Sequence, residues 1–240
     1  MTTQAPALPK VLAFDVFGTV VDWRGSIARE AAAVAQSHGI KLDADAFADR
    51  WRAGYRPAMD RVRKGELPWI NIDRLHRMIL DELLPQFGLR GLNEAERAHF
   101  NRAWHRLHPW PDSVAGLTRL KRKFVLATLS NGNVALLTNM AKHAALPWDC
   151  ILSAELFHHY KPDPQTYLGA AAMLDVTPAQ TMMVAAHEDD LIAARAAGLG
   201  TAFVRRPLEF GARPGYDLPR ERSFDYIADN FEDLASQLGA

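Results

Sequence analysis

Two periodicities divide the chain. Val11–Phe14 are four apolar residues running into Asp15, followed by a Phe17-Gly18-Thr19 turn. An unbroken apolar run closed by a turn signal predicts a strand buried on both faces, as in a parallel sheet. From about residue 24 to 108 the pattern is helical instead. Residues 27–38 are alanine-rich and stop at Gly39, which suits the left-handed end of a helix. Asp43 can cap a second helix, where Phe47, Trp51, Tyr55, Ala58 and Val62 recur at helical spacing before Gly65 and Pro68 break it. Asn71 opens a third helix with Leu75, Met78, Ile79 and Leu83, ended near residues 85–88. Asn93 with Glu96 resembles a capping box and starts a fourth helix through His105.

Beyond Pro111 short apolar runs alternate with helical ones. Strands are predicted at 124–130, 150–154, 181–186, 201–205 and 224–228, and helices at 114–123, 134–143, 164–174, 189–197 and 231–238. The stretch 207–222, rich in Pro, Gly and Arg, reads as a loop. Strands alternating with helices of this length predict a Rossmann-like α/β fold, with a parallel sheet as core and helices on both faces. The four helices before that alternation predict an inserted helical unit. The division is a core of residues 1–20 and 110–240 around an insertion of residues 21–109.

Composition changes this picture little. Apolar residues make up 48% and charged residues 23% of the 240, and 28 basic side chains balance 28 acidic ones. A net charge of zero removes any bulk attraction to nucleic acid or an anionic membrane. Cys150 is the single cysteine, so no internal disulfide forms; its apolar setting predicts a small core residue in a reducing compartment. The first ten residues lack the basic start and apolar centre of a signal peptide, and no apolar run nears the roughly 20 residues of a membrane span. A soluble, cytoplasmic chain with a frayed N-terminus is expected.

The chemistry lies at the strand ends. The first delivers Asp15, Phe17 and Thr19, the next Ser130 and Asn131. The third precedes Tyr160-Lys161-Pro162-Asp163-Pro164, and the fourth His187-Glu188-Asp189-Asp190. In open α/β folds the ligand crevice lies off the carboxyl ends of the strands. Polar clusters at four such ends therefore converge on one crevice.

Asp-x-x-Gly-Thr at 15–19, Ser-Asn-Gly at 130–132, Lys-Pro-Asp-Pro at 161–164 and an acidic fourth loop together resemble the haloacid dehalogenase superfamily, over about residues 10–235. Phe17, Ser130-Asn131-Gly132 and Lys161 followed by Tyr167 make the chain most similar to the L-2-haloacid dehalogenases. The resemblance identifies the insertion with that superfamily's cap domain. It implies that Asp15 attacks C2 of a 2-haloacid, expels halide and carries an ester that water then hydrolyses. It implies that Lys161 keeps Asp15 ionised and that Asp190 orients Lys161 or activates the water. Ser130 and nearby backbone amides are implied to bind the substrate carboxylate, Asn131 the departing halide, and Thr19 to bond Asp15. Arg52 is implied to face halide and carboxylate from the cap, with Arg56 one turn on as the alternative. Tyr167 offers a hydroxyl to the pocket, and some of Trp23, Trp51, Tyr55 and Trp69 should line its apolar wall. Where many relatives carry Ser-Asn, this chain has Ala186-His187; His187 can act as a base or hydrogen-bond its neighbours. His108 carries no assignment.

Phe17 separates the two chemistries of the superfamily. Its phosphatases carry there a second Asp that protonates the leaving alkoxide, help worth about 10²–10⁴-fold. Phenylalanine cannot supply a proton, and a halide does not need one. Those phosphatases also hold Mg²⁺ with an acid where this chain has Ala186. The resemblance therefore implies no metal and no organic cofactor, a small 2-haloacid and halide as ligands, and a homodimer. The alternatives are a Mg²⁺-dependent phosphatase of the same superfamily and a catalytically silent binding protein.

Overall fold

The structure is a computed structural model, and it describes residues 8–212, 219 and 224–240. The expected frayed N-terminus at residues 1–7, and residues 213–218 and 220–223 of the expected loop, lie outside the described residues. Residues 207–212 of that loop form turns.

β1 (Val11–Phe14) lies inside a six-stranded sheet. A short β2 (Val21–Asp22) leads into α1 (Trp23–Ser37), α2 (Ala44–Arg63), α3 (Ile72–Leu83) and α4 (Glu94–Asn101), and β3 (His108–Pro109) follows. Then come α5 (Ser113–Leu120), β4 (Val125–Ser130), α6 (Val134–His143), β5 (Cys150–Ser153), α7 (Pro164–Met173), β6 (Thr181–Ala185), α8 (Glu188–Ala196), β7 (Gly200–Val204), β8 (Tyr226–Ala228) and α9 (Phe231–Gln237). The sheet order is β5-β4-β1-β6-β7-β8, with every pairing parallel. β4 leads outward on one side of β1 and β6 on the other, so the order reverses at β1. That reversal opens a crevice above its carboxyl end.

Strand alternation explains why both faces are covered. Leu12, Phe14, Leu126 and Val184 point to one face, into a cluster with Leu117, Leu136 and Phe231 of α5, α6 and α9. Val11, Ala13, Ala127 and Met183 point to the other, against Tyr167 and Leu191 of α7 and α8. The first cluster runs on through Val16, Phe17, Val20 and Val21 into the helices of α1–α4. Cys150 is only half-buried at the start of β5, packed against the edge of the second cluster and not enclosed in it. No helix among the described residues is long and apolar enough to cross a membrane.

The helices begin where short polar side chains satisfy their first N–H groups. The Asp22 carboxylate accepts from the Gly25 N–H at 2.8 Å, which starts α1 four residues before the periodicity does. Asp43 and Asn71 cap α2 and α3 in the same way, and Asn93 with Glu96 closes a capping box on α4. α4 stops at Asn101, and residues 102–106 continue as a tighter 3₁₀ turn. β2 and β3 pair antiparallel, Val21 with Pro109 and Asp22 with His108, where the helical segment leaves and rejoins the core. Two-residue strands carry no readable period, and this pairing is absent from the sequence reading for that reason.

Candidate active site

Asp15 follows β1 directly and is 7% exposed. Its backbone N–H donates to the Val184 carbonyl, which fixes it between β1 and β6. The Thr19 hydroxyl donates to Asp15 Oδ2 at 2.7 Å and accepts from the Ala186 N–H at 2.9 Å. The hydroxyl therefore points one way only, toward the carboxylate. The turn between them is possible because Gly18 has φ +86°, a conformation that side chains disfavour. Arg206 Nε donates to the Thr19 carbonyl at 2.7 Å, while its two terminal nitrogens clasp Asp112 at 2.9 Å each.

Lys161 lies in the loop before α7 and is 8% exposed. Its ammonium donates to Asp15 Oδ1 at 2.9 Å and also to Asp190 Oδ2. The Tyr167 hydroxyl donates to Asp190 Oδ1 at 2.5 Å. Tyr167 thus lines the cavity with its hydroxyl engaged on Asp190. Asp190 is 7% exposed in the first turn of α8, whereas Asp189 beside it is exposed and pairs with Arg56 at 3.1 Å.

These contacts set the charges. Burial alone would raise the Asp15 carboxyl, but Lys161 and His187 outweigh it and hold the group well below the usual carboxylate range. Burial disfavours the Lys161 ammonium, yet Asp15 and Asp190 push it above its ordinary value. Asp190 moves up, because burial and the nearby Asp15 charge exceed the help from Lys161. Burial and the same Asp190 charge push the Tyr167 phenol up.

His187 sits on the other side of Asp15. Its Nδ1 is 3.0 Å from Asp15 Oδ2, and its Nε2 is 3.0 and 3.1 Å from the two oxygens of Glu209. Trp23 Nε1 donates to the same Glu209 at 3.0 Å. Burial opposes a charge on this ring, but Glu209 and Asp15 raise its pKa well above the ordinary value. Glu209 escaped the sequence reading. It lies in a stretch without periodicity, and only the fold brings it to His187.

A cavity of about 300 Å³ opens above these groups. Its floor holds Asp15, Phe17, Ser130, Lys161 and His187; Arg52, Tyr55, Arg56, Met59 and Arg63 of α2 form the opposite wall. The Arg52 guanidinium lies 4.5 Å from the Tyr55 ring centre and 5.5 Å from that of Trp23, and its buried Nη1 has no hydrogen-bond partner among the described residues. Phe17 packs edge-on against Trp104 with ring centres 5.7 Å apart. The Ser130 hydroxyl is fully buried and accepts from the Gly132 N–H at 3.2 Å. Asn131 accepts the Lys161 N–H at 2.7 Å and directs its amide at Met59 Sδ, 3.5 Å away. Of the four aromatic candidates, Tyr55 lines the cavity and Trp23 backs it through Arg52 and Glu209. Trp51 packs instead among Phe47, Phe100 and Trp104, and Trp69 against His158 and Tyr160. His108 packs against His143, away from the site.

A second network, also missed, ties α3 to the floor. Asn133 donates to the Asp73 carboxylate at 2.9 Å and accepts the Asp73 N–H at 3.2 Å, while His105 Nε2 meets the same carboxylate at 2.9 Å.

The family model described as haloacid dehalogenase-like hydrolase matches residues 9–198. The chain is 30% identical over 216 residues to (S)-2-haloacid dehalogenase 4A of Burkholderia cepacia, covering 85% of each. A crystal structure of an L-2-haloacid dehalogenase is 51% identical, with a TM-score of 0.92 over 97% of this chain and 99% of that one. A defluorinating L-2-haloacid dehalogenase is 44% identical, with a TM-score of 0.94 over 98% and 100%. With a family match over most of its length and a half-identical structure over nearly all of it, this chain belongs to the haloacid dehalogenase-like hydrolases.

Proposed function

We propose that this protein is a hydrolytic (S)-2-haloacid dehalogenase, converting a short 2-haloalkanoate and water to the 2-hydroxyalkanoate and halide. The observation that carries this reading is the pairing across the cavity. An ionised, buried Asp15 faces the Arg52 guanidinium, whose Nη1 lacks a partner among the described residues, with a phenyl ring at position 17 instead of an acid.

Asp15 is the nucleophile. Its Oδ2 already accepts from Thr19 and His187, whereas Oδ1 accepts from Lys161, so Oδ1 keeps the lone pair free for attack. That pair forms the bond to C2 as the carbon–halogen bond breaks behind it, inverting C2. Arg52 receives the halide, assisted by the Asn131 amide. The Ser130 hydroxyl and the adjoining backbone amides hold the substrate carboxylate. Tyr55, Phe17 and the ring of Trp23 keep bulk water off the carbon and off the ester.

Water then adds to the ester carbonyl carbon, and one of its protons passes to Asp190. The bond from that carbon to Oδ1 breaks, the product alkoxide takes that proton from Asp190, and the second water proton leaves to solvent as Asp15 is restored as a carboxylate with an oxygen from water. Lys161 holds both carboxylates in place, and Tyr167 fixes the rotation of Asp190. Residues 21–109 act as a cap domain over a core of residues 1–20 and 110–240, in a cytoplasmic homodimer. No step uses a metal: Ala186 offers no side-chain carboxylate where the phosphatases of this family carry an acid, and Asp15 is already neutralised by Lys161 and His187.

The test incubates excess protein with chloroacetate in ¹⁸O-water and EDTA, then weighs the peptide containing Asp15. Chloride release with label in Asp15 is expected. Fluoroacetate is the second substrate, since the 44% identical relative is a defluorinating enzyme. No halide and no label, with phosphate esters hydrolysed only after Mg²⁺ is restored, overturns the reading in favour of a phosphatase. Silence under both conditions makes the chain a binding protein.

A further inference from the structure

Glu209 is a buried carboxylate, 3% exposed, that the reaction above does not use. A buried carboxylate needs a cation or several donors. Among the described residues its carboxylate partners are the His187 ring and the Trp23 indole N–H. Space for it exists because residue 18 is glycine: a Cβ there would overlap the Glu209 carboxyl group. The nearest arginine in sequence, Arg206, feels its charge but is clasped by Asp112 and the Thr19 carbonyl.

The ring of His187 therefore lies between two acceptors, Asp15 Oδ2 on Nδ1 and Glu209 on Nε2. Trp23 also donates to Glu209, which fixes the carboxylate in place. An imidazole facing two carboxylates satisfies both only when both nitrogens carry protons. A histidine held in that state donates hydrogen bonds and cannot take a proton from water.

We infer that Glu209 is a positioning residue for ester hydrolysis, holding His187 as an imidazolium whose Nδ1–H points at the Asp15 oxygen that becomes the ester carbonyl. When Oδ1 is alkylated, Oδ2 is the carbonyl oxygen. Water adds to the carbon, the carbonyl π pair moves onto Oδ2, and the charge there meets two donors already in place, the Thr19 hydroxyl and His187 Nδ1–H. The pair returns as the bond to Oδ1 breaks, so the imidazolium keeps its proton throughout. Donors aimed at a developing oxyanion are each worth about 10²–10³-fold. Among the described residues the charged groups facing the ring are Asp15 from the end of β1 and Glu209 from the turn at 207–212; Glu188 follows His187 in sequence, and Lys161 lies beyond Asp15.

This assignment rests on the dehalogenase reading, and the experiment separates the two. Glu209→Gln in the full chain keeps the shape and removes the charge. With chloroacetate, quenched-flow halide release should show a first-turnover burst of about one equivalent per chain at the wild-type rate, followed by turnover about 10- to 100-fold slower. Because the block comes after halide has left, kcat and KM should fall together with kcat/KM unchanged, and the ester should accumulate on the Asp15 peptide. The slow step should weaken further as pH rises through about 6.5, the ordinary imidazole range, because the ring then loses its proton. A loss of kcat/KM equal to that of kcat, or no change in either, overturns the proposal. So does a rate that rises over the same pH range, which would make His187 a base. A wild-type protein that releases no halide overturns the dehalogenase reading, and this assignment with it.

Discussion

Replacing Lys161 by methionine removes one charge from between two buried carboxylates, and its cost can be worked out. The ammonium lies 2.9 Å from Asp15 Oδ1 and also binds Asp190 Oδ2, with both acids 7% exposed. Without it, two like charges face the same small space, and sharing one proton is the cheaper state. Asp190 is the acceptor of that proton, since burial already raises it and Asp15 keeps His187. A carboxyl with an ordinary pKa of about 3.9 takes up a proton at pH 7 at a cost of about 4 kcal/mol. The figure agrees with the ~3–5 kcal/mol typical of removing one partner from a buried pair. For a chain of this length each kcal/mol moves Tm by about 2–4 °C, so the variant should melt about 8–16 °C below wild type at neutral pH.

The sign of the pH dependence follows from the proton count. Between about pH 4 and 7 the variant's native state holds one proton more than its unfolded chain. Its stability relative to wild type therefore falls by about 1.4 kcal/mol per unit of rising pH, and returns as pH is lowered. In the wild type the Asp15 carboxyl is held low, so its contribution is complete above about pH 4 and is lost only as pH falls further. Tryptophan-fluorescence melts of both proteins at about pH 7, 5.5 and 4.5 measure this gap. A gap that stays constant with pH, or one below about 3 °C at pH 7, refutes the reasoning.

Arg52→Gln removes the guanidinium from the cavity wall, and kcat/KM for chloroacetate should fall about 10- to 100-fold, the worth of a hydrogen bond to a charged group; an unchanged value removes Arg52 from the halide site. Tyr167→Phe takes a donor from Asp190, so the acidic limb of the kcat–pH profile should move up by about one unit, and an unmoved limb would show that Asp190 is not the titrating base. Asp73→Ala breaks the bonds to Asn133 and His105 and should cost about 1–3 kcal/mol, read as a Tm lowered by about 2–12 °C. EDTA should leave halide release unchanged, and a loss restored by Mg²⁺ would contradict the charge arrangement around Asp15.

Much of this protein is legible along its chain. The run Val11–Phe14 announces a doubly buried strand, and parallel strands place their carboxyl ends on one side, so Asp15, Ser130, Lys161 and Asp190 could be gathered before any coordinates. The caps at Asp43, Asn71 and Asn93 are equally local, because a helix start is decided within four residues. Other features have no local signature. Asp189 and Asp190 are neighbours of one kind, yet the rotation of α8 buries the second beside Lys161 and leaves the first outside with Arg56. Arg52 and Arg56 lie one turn apart, and the packing of α2 sets the first between Trp23 and Tyr55. The Val21–Pro109 pairing and the contact of Glu209 with His187 join residues that share no period. Periodicity records which face of an element is buried. The protonation of Asp15, His187 and Asp190 depends on which charges meet through space, and only the closed tertiary structure brings them together.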